Sequence, residues 1–337
     1  MRNLFGSICV ALSLLTAARA DNSNELFARL DRAAAATTLY APTLKPWHMK
    51  VAFTLNDDTG KNPQQGTLEE WWGGPTQDRI TYTSPAFTGT VLHIGDETLV
   101  TPRAGLPPFA LETMHEALVN PLKPELYPKT RNPALEKTQF GTITLDCITI
   151  SPKSVKSAHA PTGLYPTSCF DPGSDRLRYV SRYVAESVVR NVLGSFQGQS
   201  VAVALKVMEG SVESAEAKVT TLGTMPVNAM DFTSTGVEAS RPVQKVPGGV
   251  VAGTQVHKFA PVYPESAKRL RIQGDVLLSV TIGTDGHVRQ LAVLSTPDSD
   301  LAIAAVAAVR HWLYTPYLLN GNPSEVHTTV TVKFNIQ

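Results

Sequence analysis

The last quarter of the chain, Pro261 to Ile336, limits the possible folds most tightly, because its hydrophobic period changes twice. A short basic stretch, Glu265 to Arg271, reads as a helix that Gly274 can end, since glycine readily takes the left-handed conformation there. Val276, Leu278, Val280 and Ile282 then alternate with Leu277, Ser279, Thr281 and Gly283, the pattern of a half-buried strand. Asp285-Gly286 suits a tight turn, and Val288, Leu291 and Val293 return along the first strand. Behind the capping candidates Asp298, Ser299 and Asp300, the residues Leu301, Ala304, Ala305, Ala308, Val309 and Trp312 fall on one helical stripe. After the Gly321-Asn322-Pro323 turn, Thr328, Val330, Val332, Phe334 and Ile336 point one way, and His327, Thr329, Thr331, Lys333 and Asn335 the other. The expected product is a small antiparallel sheet covered by helices, built to bind rather than to catalyse.

Pro261, Tyr263 and Pro264, then Ala267, Gly274 and Val276, then Asp285-Gly286, the alanine-rich helix ending in Trp312, Tyr314-Thr315-Pro316, Gly321 and Val330 to Phe334 occur here in one order. This segment resembles the C-terminal domain of the TonB family of bacterial energy transducers. The resemblance implies a three-stranded antiparallel sheet on two helices, opened by the motif Pro261, Tyr263, Pro264. It also implies an exposed edge that pairs with the TonB box, a short segment of outer-membrane transporters. The receiving edge would be Val326, His327, Thr328, Thr329, Val330, Thr331, Val332, Lys333 and Phe334, whose unpaired amides and carbonyls can accept another strand. Family transducers carry a membrane helix that engages an inner-membrane motor, and a long proline-rich spacer, neither of which this chain clearly shows.

The region from Asn24 to Phe232 reads as one amphipathic opening helix (Leu26, Phe27, Leu30, Ala33, Ala34, Thr37) and many short strands. Strands are expected at His48 to Leu55, Thr67 to Trp72, Arg79 to Ser84, Thr90 to Ile94, Glu97 to Val100, Gly141 to Ile150, Leu177 to Val184, Ser200 to Met208 and Val212 to Leu222. A second helix is expected from Phe109 to Val119. The predicted fold class is α+β: an N-terminal curved antiparallel sheet wrapping one or two helices, followed by the small TonB-like domain. The N-terminal layout resembles the half-barrel of LolA and LolB carriers in architecture only. A carrier of lipid or lipoprotein is therefore the alternative function, with the C-terminal domain as docking module. Trp47, Phe53, Trp71 and Trp72 would line an apolar or acyl-binding face, or else simply fill the core. Adjacent Trp71 and Trp72 must point to opposite faces of a strand.

The first residues read as a secretory signal: Arg2, an apolar core from Leu4 to Leu15, and Ala18-Arg19-Ala20 before a cleavage point. The expected organisation is a signal at residues 1–20, a β-rich domain at 21–235, a linker at 236–252 rich in glycine and proline, and the TonB-like domain at 253–337. Export to the periplasm follows, the alternative being an inner-membrane anchor through an uncleaved segment. Removing the signal removes Cys9 and leaves Cys147 and Cys169, which are expected to form a disulfide in an oxidising compartment. A metal site built on the same pair lacks close spacing and a flanking histidine pair.

Catalytic patterns are thin. His115-Glu116 begins a metalloprotease-like helix, but Val119 stands where the second histidine would be. Glu69 and Glu70 are neighbours on a predicted strand and project oppositely, so they cannot cooperate. His48, His93, His159, His257, His287, His311 and His327 lack ligand spacing, and the glycines of the linker lead into no Gly-Lys-Ser/Thr phosphate loop. No enzyme, cofactor or metal is therefore expected. A formal net charge of +1 gives no nucleic-acid signature, and Lys268, Arg269 and Arg271 read as a solvated helix face.

Overall fold

Two antiparallel meanders meet at their first and last strands. The computed structural model describes residues 8–336 except 58–59, 86, 102–106, 108, 156–159, 183, 185, 211, 227–231, 240–243, 246–254 and 320, and for residues 8–21, 244–245 and 322 the backbone alone. Helix α1 (Ile8–Thr37) leads into the first meander, β1 (Trp47–Leu55), β2 (Gln64–Gly74), β3 (Gln77–Thr83), β4 (Thr88–Ile94) and β5 (Glu97–Val100). Helix α2 (Phe109–Val119) separates it from the second meander. That comprises β6 (Asn132–Phe140), β7 (Ile143–Ser151), β8 (Thr167–Phe170), β9 (Leu177–Ser181), β10 (Glu186–Phe196), β11 (Gln199–Glu209) and β12 (Val212–Thr224). Pairing of β1 with β12 fuses them into one thirteen-stranded sheet, completed at the β5 border by β13 (Glu238–Ala239) and ending at the other border in β6.

Two helices cover one face of this sheet. Leu111, Met114, Ala117 and Leu118 of α2 share a core with Trp47, Phe53 and Trp72 of the first meander and with Val188, Leu205 and Ala217 of the second. Leu26, Phe27, Leu30 and Ala33 of α1 pack on Ile148, Ile150, Phe170, Leu177 and Val180 of β7 to β9. The apolar stripes of α1 and α2, set by the helical period, thus meet apolar side chains that the two-residue period of the strands brings to one face.

A second, four-stranded sheet has the order β14-β21-β16-β17, where β14 is Gln244–Lys245, β16 is Gly274–Ile282, β17 is Val288–Ser295 and β21 is Val326–Phe334. The short pairs β15 (Gln255–His257) with β18 (Leu313–Tyr314), and β19 (Leu318–Leu319) with β20 (Asn322–Pro323), flank it. Helix α3 (Glu265–Arg269) precedes the sheet, and α4 (Ser299–Val309) covers it through Leu301, Ala302, Ala305 and Val309.

The molecule departs from expectation in several places. Strands β6, β8 and β10 were not read from sequence. Helix α3 ends at Arg269, and Arg271, with φ of 52°, takes the left-handed position assigned to Gly274, which instead opens β16. The interval expected to be a plain linker contributes a strand to each sheet, β13 and β14. Its remaining residues between 240 and 252, like His159 and residues 1–7 of the expected signal, lie outside the described residues. Among the described residues, no helix is long and apolar enough to cross a membrane.

Candidate peptide-docking edge

Strand β16 is the spine of the small sheet. Val276, Leu278, Val280 and Ile282 are buried beneath α4, while β16 pairs on one side with β17 and on the other with all nine residues of β21, from Gly274 opposite Phe334 to Ile282 opposite Val326. Strand β21 alternates as expected: Val326, Thr328, Val332 and Phe334 are buried, and Thr331 and Lys333 are exposed. On the open face His327 sits between two hydroxyls of β16, Ser279 Oγ at 3.2 Å from Nε2 and Thr281 Oγ1 at 3.3 Å from Nδ1. Thr281 also donates to Gln290 of β17 at 3.1 Å, so one polar ladder ties the three strands together.

The opening motif braces the far end. Tyr263 donates its hydroxyl to the carbonyl of Ile272 at 2.7 Å and meets the Phe334 ring edge-on at 5.4 Å, fixing the last residue of β21. Pro264 caps α3 in an extended conformation and Pro261 lies half-buried just before it. Asp298 accepts from the amide of Asp300 at 2.8 Å, the side-chain cap that starts α4. Trp312 closes the other end, its Nε1 donating to the carbonyl of Phe259 at 2.9 Å with the Lys258 ammonium 5.1 Å from its ring.

The two outer borders of the small sheet differ. Along β17, Val184 of the large sheet's β9–β10 connection donates its amide to the carbonyl of Leu291 at 2.9 Å, and Ser154 lies 3.1 Å from Ser295 and accepts from the amide of Thr296 at 3.3 Å. Along β21, strand β14 pairs in parallel with Val326 and His327 alone. Among the described residues, the stretch Thr328 to Phe334 has no strand on its outer side. Of the nine residues named from the sequence, Val326 and His327 are thus paired outward by β14, and the other seven have no outer strand among the described residues.

The aromatic group expected to line an apolar site is split. Trp47, Phe53 and Trp72 are buried with α2, and Trp47 stacks on Trp72 and Tyr40 at 5.9 and 6.4 Å. Trp71 projects to the opposite face and stacks on His48 at 5.0 Å. The core is packed so closely that a methyl group on Gly66 would meet the Phe53 ring at 2.4 Å. Glu69 and Glu70 diverge likewise, Glu69 toward His48 and Lys50 on the outer face and Glu70 into the core.

Sequence reasoning missed that buried polar centre. Glu70 Oε1 accepts from Tyr40 at 2.8 Å and Oε2 lies 2.8 Å from Nε2 of His115. Burial works to lower the His115 pKa, but the charge and hydrogen bond of Glu70, aided by Asp78 and Glu112, outweigh it and hold it raised. Cys147 and Cys169 face each other across β7 and β8 and are joined by a disulfide. No group of three or more His, Cys, Asp or Glu side chains among the described residues is placed to hold a metal ion.

Residues 260–336 match the family model described as the Gram-negative bacterial TonB protein C-terminal. The C-terminal unit is thus similar to the C-terminal domain of TonB proteins. The TonB protein of Klebsiella pneumoniae is 32% identical over 104 residues, which are 31% of this chain and 40% of that protein. The TonB protein of Xanthomonas campestris pv. campestris strain B100 is 35% identical over 75 residues, 22% of this chain and 34% of that protein. The chain therefore spans well under half the length of these relatives. Solved structures of a LolA superfamily protein from Nitrosomonas europaea (TM-score 0.39, 10% identity, 60% of this chain and 94% of that one) and of MucB (TM-score 0.31, 9% identity, 85% and 97%) are more distant. The TonB match begins just before Pro261 and runs through β21, so it takes in the opening motif and the open border together.

Proposed function

We propose that the TonB-type unit binds an extended segment of an outer-membrane transporter, a TonB box, by adding it as a strand to β21 between Thr328 and Phe334, as part of energy-coupled transport across that membrane. The observation that carries this reading is the asymmetry of the small sheet: neither border carries a full outer strand, but the β17 border is met by Val184 and Ser154 from connections of the large sheet, while among the described residues no strand lies outside Thr328 to Phe334 of β21. An uncovered row of outward amides and carbonyls is a template for another strand. The polar ladder through His327 and the clamp of Tyr263 on Phe334 hold the row straight in advance, which lowers the ordering cost of docking. A periplasmic location accords with this partner and with the disulfide. The carrier alternative is not advanced, because Trp47, Phe53 and Trp72 are consumed by packing under α2.

Titration of the full chain with TonB-box peptides tests the reading. Outward and inward amides alternate along a strand, so of Val330→Pro and Thr331→Pro one removes an outward donor. Whichever variant keeps the parent's melting temperature should lose peptide binding. Undiminished affinity in that variant would place the docking border elsewhere.

A further inference from the structure

Away from the small sheet, a cleft of about 480 Å³ opens between α1 and the chain around the start of β6. It is lined by Asn24 and Asp31 of α1, by Lys129, Arg131 and Asn132, and by Lys153 just past β7. Three cations thus face one carboxylate. Asp31 is taken up by Lys129, whose ammonium lies 3.1 Å from Oδ2 in a pair open to solvent. Among the described residues, the side chains of Arg131 and Lys153 have no hydrogen-bond or ion-pair partner. Arg131 is half-buried, and burial draws its guanidinium below the ordinary pKa; the nearby Tyr165 acts the other way, and no carboxylate does. A partly desolvated cation without a counter-charge is costly until an anion completes it. We propose that this cleft is a binding site for a phosphomonoester, with Arg131 and Lys153 holding the phosphate oxygens.

Charge and geometry select this group. A phosphomonoester carries close to two negative charges at neutral pH, which matches the two cations that Asp31 leaves over, whereas a monocarboxylate would satisfy only one of them. The planar fork of a guanidinium can grip two phosphate oxygens at once, and an ammonium adds a point charge beside it. The Lys129–Asp31 pair is exposed, with side chains 69% and 46% accessible, so it holds Lys129 weakly and lets the ammonium share the ligand. Asn24 and Asn132, both exposed, offer amides to the hydroxyls or ester oxygens of the group that bears the phosphate. A cleft of this size takes the phosphate together with a small organic part. A free small molecule and the headgroup of a lipid such as phosphatidic acid present the same chemistry.

The test uses the full chain. Calorimetric titration with inorganic phosphate should show saturable binding at one site that weakens as salt is added. Arg131→Gln should lower the affinity about tenfold or more and Lys153→Gln about threefold, while Lys218→Gln, exposed on β12 and outside the cleft, should leave it unchanged. Arg131 has no protein partner to lose, so its variant should melt no lower than the parent, and exposed Lys153 gives a second variant that folding does not depend on. Flotation with vesicles of phosphatidylcholine, with and without phosphatidic acid, separates the two sources. Retention on the phosphatidic acid vesicles alone, lost in Arg131→Gln, assigns the site to a lipid headgroup. Phosphate binding without vesicle retention assigns it to a free phosphomonoester. Neither phosphate binding nor retention, parent-like affinity in both cleft variants, or an equal loss in Lys218→Gln overturns the site.

Discussion

A methyl group on Gly286 would lie 1.9 Å from the carbonyl oxygen of Tyr314, because the Gly286 carbonyl itself accepts from the Tyr314 amide at 3.0 Å and φ is +83°. Gly286→Ala therefore adds a backbone collision to the cost of a left-handed residue, and should destabilise the protein by about 3 kcal/mol or more. Gly321, at φ of +81° with nothing within 4 Å of the added carbon, should lose only about 1 kcal/mol on the same change. Urea midpoints of the two variants compare them directly. Glu186 gives a prediction in pH. Both its carboxylate oxygens are sealed from solvent without a well-placed hydrogen-bond partner, Thr113 being the hydroxyl that faces them. Burial raises its pKa from 4.5 to about 7; Glu112 and Glu209 add to the rise and Arg182 opposes it. A carboxyl raised on folding contributes stability that is complete below its unfolded value and lost as pH climbs through its folded value. The urea midpoint should therefore fall between about pH 4.5 and 7, and Glu186→Gln should flatten that fall. The raised histidine, His115, has the same sign but acts from its ordinary 6.5 upward, whereas Glu112 and Glu325, also raised by burial, add to the slope at the acid end, so the part that Glu186→Gln removes is the share owed to Glu186.

Elements with one clean period could be read from sequence, and those whose burial follows long-range packing could not. Helix α2 was read with its observed limits because its apolar stripe repeats at the helical spacing. Strand β6 shows almost no buried residue, since it is the border of the large sheet and offers no alternation. Strand β8 fails for the opposite reason: all four of its residues are buried. Strand β10 carries a register shift between Val189 and Val192, where the fully buried Arg190 donates to the carbonyls of Leu177 and Ser200 at 3.3 and 3.1 Å. The β21 alternation and the Tyr263 motif were legible as local patterns. Neither the β14 pairing nor the Val184 contact was, because each joins distant stretches of chain by backbone groups that every residue possesses. At β7 and β8 the disulfide spans a separation of 22 residues, and its loss should cost roughly 3 kcal/mol on the chain-entropy account. The paired variant Cys147→Ala, Cys169→Ala, compared with the parent in urea, measures it. Alkylation of the reduced parent should await unfolding, since Cys169 is fully buried.

At the scale of the whole molecule, the TonB-type unit does not close its core alone. Leu164 and Tyr165, from the connection between β7 and β8, are buried among Val276, Leu278, Leu301 and Val306, with Val155, Ala160 and Val184 packed alongside. The Tyr165 hydroxyl lies 3.3 Å from Ser299 Oγ at the head of α4, and Arg310 at its far end reaches Glu209 of β11 at 3.5 Å. Between these contacts remains a cavity of about 300 Å³ lined by Leu164, Val184, Glu186, Ile303 and Val306. The contacts that seat α4 lie beside Val184 at the β17 border, so the packing of the two units also engages that border of the small sheet. Leu164→Ala with Tyr165→Ala removes the two largest plugs, each costing on the order of 3 kcal/mol where burial is complete. The parent should melt in one transition and the variant in two, with faster proteolysis between the sheets. If docking uses β21, the variant should still bind TonB-box peptides, because the polar ladder and the Tyr263 clamp lie within the TonB-type unit. A variant that bound such peptides at two sites would show that the exposed β17 border had become a second acceptor, and that the large sheet normally denies it to visiting strands.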